Sequence, residues 1–387
     1  MKLRLIILLL CLSLVPFSMA QDATDAVPIF ETVAPNAILL DAKSGEVFFE
    51  KSADAAVPPA SMSKLMIQSI VFDLLKSGEL KEDQEFTVTE DAWRRGGSPS
   101  GSSTMYAELN SKVRVIDLLR GAIIQSANDA CITLAAGIAG SELAFTELMR
   151  KKAEKLGLQH STFKNATGLS DPGHLMSMRD LSILARHIIY DHPERYPLYA
   201  EGKFTWNKIE QQNRNPLLKD YTGADGMKTG FTKEAGYGLV GSVQRDGRRL
   251  IMVVAGLKSA NERKDEAQKL LDWGFRQFKT VDVFDKDETV ANARVWGGSE
   301  NWVELRTAQA FQVALTAKEQ KTVELKLSYT GPLMAPVKAG TEVGKARVIV
   351  GGKTVAEVSV LTASEVPAVD SMLDKAMDSL SIMVFGG

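Results

Sequence analysis

Apolar positions recur along this chain in several distinct rhythms, and the changes of rhythm divide it. At the start they are unbroken: Leu5 to Leu14 follow the basic residues Lys2 and Arg4 and lead into Ser18-Met19-Ala20. A basic start, a short apolar run and a small-x-small tripeptide predict an export signal over residues 1–20, the run being too short for a membrane span. Cys11 follows Leu10 rather than a small residue, which argues against a lipoprotein signal.

Residues 21–282 mix helical and strand patterns. Ala37 to Phe49 reads as a strand, a Lys43-Ser44-Gly45 turn and a returning strand. From Ser61, the positions Met62, Leu65, Met66, Ile70, Leu74 and Leu75 recur at helical spacing, and Gly78 supplies a stop. Val115 to Ala139 is helix-rich, with Ser126 to Asn128 interrupting it. Leu239 to Val243 and Leu250 to Val254 flank Asp246-Gly247 as a hairpin, and Glu262 to Phe278 follows as a helix with Leu270, Leu271 and Phe275 on its apolar side. Over residues 283–366 the period falls to two, in Val323 to Tyr329, Ala346 to Val350 and Val355 to Val360, with Gly and Pro turns between. This predicts a small all-β domain. Residues 367–387 return to helical spacing: Val369, Met372, Leu373, Ala376, Met377, Leu380, Met383 and Val384 form one stripe, with Asp370, Asp374, Lys375 and Asp378 off it. Such a helix suits a membrane interface; packing on its own β domain or on a partner protein is the alternative. Its polar face is acidic, so attraction to anionic lipid is not the mechanism.

A length of 387 residues exceeds most single cores and fits two folded domains. The hydrophobic share of 45% and charged share of 24% are those of a soluble globular protein. Net charge is −2, or −4 once Lys2 and Arg4 are removed, and gives no sign of a nucleic-acid partner. Loss of Cys11 leaves Cys131 alone, which excludes an intramolecular disulfide.

Three clusters carry the chemistry: Ser61-Met62-Ser63-Lys64, Ser126-Ala127-Asn128 and Lys228-Thr229-Gly230. Ser61 and Lys64, three apart at a helix start, share a face. A serine hydroxyl needs a base to become a nucleophile, and lysine can serve when burial and a second cation lower its pKa. Lys228 is the expected second cation, and the helix start favours negative charge developing on Ser61. Ser63 competes in composition but points elsewhere on the helix. Each cluster alone is weak, since a capping serine with a surface lysine is common. Ordered together in an exported chain, they read as the parts of serine acyl transfer. His160, His174, His187 and His192 are scattered and are read as structural or surface residues; no metal site and no cofactor is expected. No His-Glu-x-x-His stretch occurs.

With these clusters in place, the chain resembles the penicillin-recognising serine acyltransferases, specifically the low-molecular-mass D-alanyl-D-alanine carboxypeptidases. Ser126 to Cys131, Phe163-Lys164-Asn165-Ala166-Thr167-Gly168-Leu169, Asn213-Arg214-Asn215 and Lys269 to Phe275 resemble that family as well, as does the layout of signal, catalytic domain, β domain and terminal helix. The resemblance implies an α/β (α+β) catalytic domain of β-lactamase/transpeptidase type, an antiparallel sheet flanked by helices with an all-helical lobe beside it. It implies attack by Ser61 on the carbonyl between the terminal D-alanines of a peptidoglycan stem peptide, with Lys64 as base and Ser126 relaying a proton to the leaving group. Asn128 is expected to bind the peptide, Lys228 and Thr229 to lie beside its terminal carboxylate, and Gly230 to leave room for the substrate backbone. The backbone N–H groups of Ser61 and Phe231 are expected to form the oxyanion site, and Arg263 to hold the carboxylate. β-Lactams are the implied covalent inhibitors. Two departures stand out: Phe231 where some members carry histidine, and Ala127 where many carry glycine.

A class A β-lactamase shares the first and third clusters but deacylates with a carboxylate, usually in Glu-x-x-Leu-Asn, and no such string occurs. An endopeptidase of peptide cross-links and a non-catalytic envelope scaffold are the remaining alternatives.

Overall fold

In the computed structural model, which describes residues 30–385, the strands β1 (Asn36–Asp41), β2 (Val47–Lys51), β3 (Ala224–Thr232), β4 (Gly236–Arg245) and β5 (Arg248–Leu257) form one sheet in the order β2-β1-β5-β4-β3. Every neighbouring pair is antiparallel. The export signal read over residues 1–20 lies outside the described residues.

Both faces of this sheet are covered. Ile38 and Leu40 of β1 join one core, and Ala37 and Leu39 join the other, following the two-residue period of a strand. With both parities buried, β1 reads as an unbroken apolar run and not as an alternation. The first core lies under α1 (Lys64–Ser77), α2 (Asn128–Ala139), α3 (Glu142–Leu156) and α4 (Met178–Asp191). Serine oxygens cap two of these: Ser141 accepts from the Ala144 N–H at 3.1 Å, and Ser177 from the Asp180 N–H at 3.1 Å. Gly78, at φ +81°, ends α1 in a left-handed turn. Across the sheet, α5 (Ala260–Gln277) buries Leu270, Leu271 and Trp273 against Leu39, Leu250 and Val254. Burying each such leucine contributes about 2 kcal/mol.

The helix expected from Ser61 begins at Lys64, because a 3-10 turn over Ala60–Ser63 precedes it. Ala60, at φ +48°, swings the chain into that turn. The interruption expected inside Val115–Ala139 is present: α-helix over Val115–Arg120 widens to a π turn over Gly121–Gln125, Ser126 turns left-handed at φ +61°, and α2 starts at Asn128.

The histidines are not all scattered. His187 and His192 converge on Asp73: His192 Nε2 lies 3.0 Å and His187 Nε2 3.7 Å from its Oδ1. The ammonium of Lys152 sits among them, bonded to Asp73 and 2.8 Å from His187 Nε2. Asp73 lies on α1, Lys152 on α3, His187 on α4 and His192 just after it, so spacing alone does not bring them together. Burial acts to raise the Asp73 carboxyl, but hydrogen bonds from His187, His192 and Lys152 outweigh it and hold the group well below the carboxylate range. With the lysine charge already in place, the cluster fastens α1, α3 and α4 to one another.

Beyond α5 the chain is β-rich. Strands Glu324–Tyr329, Glu342–Val350, Lys353–Thr362, Trp302–Thr307, Thr289–Trp296 and Leu333–Met334 form a second sheet, in that order, and Phe278–Phe284 pairs with Phe311–Thr316. Val295, Leu305, Val313, Val348 and Val360 fill its separate core. The last helix, α6 (Met372–Phe385), docks on this domain by its polar side. Asp378 pairs with Arg294 at 2.5 Å and accepts from the Gly297 N–H at 2.8 Å, while Trp296 Nε1 donates to Ser379 at 3.0 Å. Met372 (88% exposed), Leu373, Met377, Leu380 and Met383 point away.

Candidate active site

The turn Ala60–Ser63 places Ser61 at the head of α1, where the unpaired N–H groups of a helix start favour negative charge. Lys64, one turn on and fully buried, donates from Nζ to Ser61 Oγ at 2.7 Å and to the Thr167 carbonyl. Ser63 is turned away: its hydroxyl donates to the Ala60 carbonyl at 3.1 Å inside the core.

Two glycines let other segments close on this turn. A Cβ on Gly230 would lie 3.0 Å from the Pro59 carbonyl oxygen and 3.2 Å from the Ala60 Cβ, so its missing side chain leaves room for the Ser61 turn. Gly168, at φ +77°, has the Ala60 carbonyl oxygen 2.1 Å from where its Cβ would be. The loop around it is folded by Asn165, whose Oδ1 accepts from the N–H groups of Thr167 (3.1 Å) and Gly168 (2.7 Å). That loop presents the Thr167 carbonyl to Lys64.

The left-handed backbone at Ser126 costs about 1 kcal/mol or more in a non-glycine residue. It leaves the hydroxyl buried and without a hydrogen-bond partner at the groove. Asn128 is held by the serine-rich loop, its N–H donating to the Ser103 carbonyl (2.7 Å) and its Nδ2 to Ser102 Oγ (3.0 Å). Asp129, on the far side of that loop, accepts from Thr104 and from the N–H groups of Met105 and Ala107, which fixes the loop.

Strand β3 forms the opposite wall. Lys228 is buried, with its Nζ 3.0 Å from the Thr229 carbonyl, and Thr229, Gly230 and Phe231 line the groove. Arg263 enters from the first turn of α5. Ser61, Ser126, Thr229, Gly230, Phe231 and Arg263 therefore meet in one groove of about 560 Å³, with Lys64, Lys228 and Asn128 buried against it. Sequence reading gave no role to Ser103, Arg214 or Tyr237, which line the same groove. Arg214 lay within the Asn213-Arg214-Asn215 resemblance; in the structure it donates to Ser103 Oγ at 2.6 Å.

Burial lowers Lys64 to about 8, and the Arg214 guanidinium adds to the effect. Arg214 is thus a cation beyond the expected Lys228 that bears on Lys64. Lys228 is itself pushed well below the usual lysine range, by burial first and then by Lys64. The lining contains hydroxyls, amides and the cations Arg214, Lys219, Arg263 and Lys264 but no carboxylate, imidazole or thiol. Such a groove attracts anions.

A buried lysine bonded to a serine oxygen, beside a cationic groove with a strand for one wall, is the arrangement of a serine acyltransferase. The chain belongs to the D-alanyl-D-alanine carboxypeptidase family of peptidases S11, whose model matches residues 21–259. A model described as the penicillin-binding protein 5 C-terminal domain matches residues 278–368. The chain is 41% identical to the D-alanyl-D-alanine carboxypeptidase DacC of Escherichia coli over 343 residues, 88% of this chain and 85% of that one. Penicillin binding protein 5 from Haemophilus influenzae superposes with a TM-score of 0.81 at 36% identity, over 88% of this chain and 99% of that one. Penicillin-binding protein D2 from Listeria monocytogenes, solved in an ampicillin-bound form, aligns with a TM-score of 0.58 at 32% identity, over 64% of this chain and all (100%) of that one.

Proposed function

We propose that Ser61 is the nucleophile with which this serine-type D-alanyl-D-alanine carboxypeptidase removes the terminal D-alanine of peptidoglycan stem pentapeptides. The observation that carries the assignment is the 2.7 Å hydrogen bond between Ser61 Oγ and a buried Lys64 whose pKa is lowered to about 8. Neutral Lys64 takes the hydroxyl proton as Oγ attacks the carbonyl between the two D-alanines. The N–H groups of Ser61 and Phe231 stabilise the oxyanion. Ser126, whose hydroxyl has no partner in the protein, passes a proton to the departing D-alanine amine as the C–N bond breaks. Water then cleaves the ester, returning Ser61. Asn128 binds the peptide, and Lys228, Thr229 and Arg263 form the carboxylate side. β-Lactams enter by the same attack and stay as esters.

The test is incubation of purified protein with a stem pentapeptide ending in D-Ala-D-Ala. Free D-alanine from the wild type and none from Ser61→Ala is the expected result; unchanged peptide with the wild type refutes the activity, and release by Ser61→Ala refutes the nucleophile.

The division into an export signal (1–20), a catalytic domain (21–282), a β domain (283–366) and an anchoring helix (367–387) is part of this reading. It puts the enzyme on the periplasmic face of the inner membrane, held peripherally. Among the described residues no single helix is long and apolar enough to cross a membrane. Support comes from α6, whose apolar residues Met372, Leu373, Met377, Leu380 and Met383 are exposed together while Asp378 and Ser379 hold its other side. Removing residues 368–387 should move the protein from the membrane fraction to the soluble one; unchanged fractionation refutes the anchor.

A further inference from the structure

Two aromatic rings form the groove wall next to Arg263, and neither ring takes part in the proposed reaction. Phe231 on β3 and Tyr237 on β4 stand directly opposite in the strand register, so their side chains share one face of the sheet. Their ring centroids are 4.2 Å apart and their planes differ by 30°. Tyr237 has a second neighbour, the Arg263 guanidinium, whose central carbon lies over the ring at 5.6 Å from its centroid.

The position of Arg263 makes that contact consequential. Its residue is 9% exposed, and its Nε is buried with no hydrogen-bond partner. It also sits in the first turn of α5, where the helix dipole disfavours a cation. A desolvated cation at the wrong end of a helix, beside a groove without carboxylates, is poised for an incoming anion. Until that anion arrives, the π face of Tyr237 is the favourable electrostatic surface it has. Phe231, half exposed on the groove side, in turn limits how Tyr237 can move.

We propose that Tyr237, steadied by Phe231, is a positioning residue that holds the Arg263 guanidinium ready for the terminal carboxylate of the substrate. This rests on the carboxypeptidase reading of the groove and adds a residue that tunes recognition without touching the reacting bond. A preset guanidinium loses less freedom when the carboxylate binds, so the effect falls on substrate affinity.

The experiment compares a D-Ala-D-Ala-ended peptide with its carboxamide-ended twin in the full-length wild type and in Arg263→Gln, Tyr237→Leu, Tyr237→Phe and Phe231→Ala. Tyr237→Leu is expected to raise KM for the carboxylate peptide about tenfold with kcat nearly unchanged, and to leave the carboxamide peptide unaffected. Tyr237→Phe keeps the π face and should retain wild-type discrimination. Phe231→Ala, at a half-exposed position that keeps its backbone N–H, should lose about threefold in the same discrimination. Wild-type discrimination in both Tyr237→Leu and Phe231→Ala, beside an Arg263→Gln that has lost it, overturns the brace alone. Wild-type discrimination in Arg263→Gln overturns the carboxylate grip and the brace together. Should Tyr237→Leu not fold, Phe231→Ala decides: unchanged discrimination there overturns the brace.

Discussion

Lys64 Nζ and Ser61 Oγ lie 2.7 Å apart across a single turn, and the same ammonium also donates to the Thr167 carbonyl. Those two acceptors fix the amine toward the hydroxyl that the proposed mechanism has it deprotonate. Ser63, two residues after Ser61, is bonded into the core instead. Ser61→Ala should therefore abolish covalent labelling by a fluorescent penicillin, while Ser63→Ala should still label. Label on the Ser61→Ala protein, detected on a gel, would identify another nucleophile.

The pH dependence follows from the same lysine. With Lys64 near 8, roughly a tenth of it is neutral at pH 7, and the neutral amine is the form the proposed mechanism uses. Acylation of Ser61 should therefore climb about tenfold between pH 7 and pH 9 and level off above. Arg214→Gln removes a cation that lowers this pKa, so the midpoint should move up. Stopped-flow acylation across the pH range measures both, and a midpoint that moves down contradicts the assignment of Arg214.

The loop facing Lys64 offers a main-chain carbonyl, that of Thr167, in place of a carboxylate base. A penicilloyl ester on Ser61 should accordingly persist for minutes or longer. Mass spectrometry after removal of excess penicillin reads its lifetime. Loss of the adduct within seconds would require a deacylating group other than those at this groove.

Gly168 supports the site through backbone geometry alone. Alanine there adds a left-handed conformation and a Cβ 2.1 Å from the Ala60 carbonyl. Gly168→Ala should cost about 2 kcal/mol or more and slow acylation, since the displaced segment carries Ser61. Thermal unfolding and penicillin labelling together test this; a variant with wild-type values in both would show that the turn yields freely.

At the junction with the β domain, burial first, then Glu319 and Asp41, raise the Glu46 carboxyl from 4.5 to about 8. An acid with a raised folded-state pKa contributes stability below its unfolded pKa, and that contribution is lost as pH rises through the folded one. Wild-type stability should thus fall between pH 4.5 and about 8 relative to Glu46→Gln. Denaturant melts at the two ends of that window give the comparison, and parallel curves would contradict it.

Much of this was legible in the chain because the signals are local. The turn at Lys43-Ser44-Gly45, the stop at Gly78, the break at Ser126 and the hairpin at Asp246-Gly247 each follow from a few adjacent residues. The start of α1 lies three residues past Ser61, since apolar spacing does not distinguish a 3-10 turn from the helix it precedes. His187 and His192 meeting Asp73 was illegible, because it depends on how α1 packs against α4 and its C-terminal cap, which no spacing encodes.

By itself the sequence determined which chemistry is available: a serine with a lysine one turn on, a second hydroxyl, and the Lys228-Thr229-Gly230 cluster. Tertiary structure alone decided how that chemistry is tuned. It brought the Arg214 charge to bear on Lys64, set the bare face of Gly230 against the Ser61 turn, and set Tyr237 over Arg263. The reason is physical: desolvation, charge proximity and ring contact depend on distances between segments far apart in the chain, and those distances come into being only when the two faces of the sheet are packed.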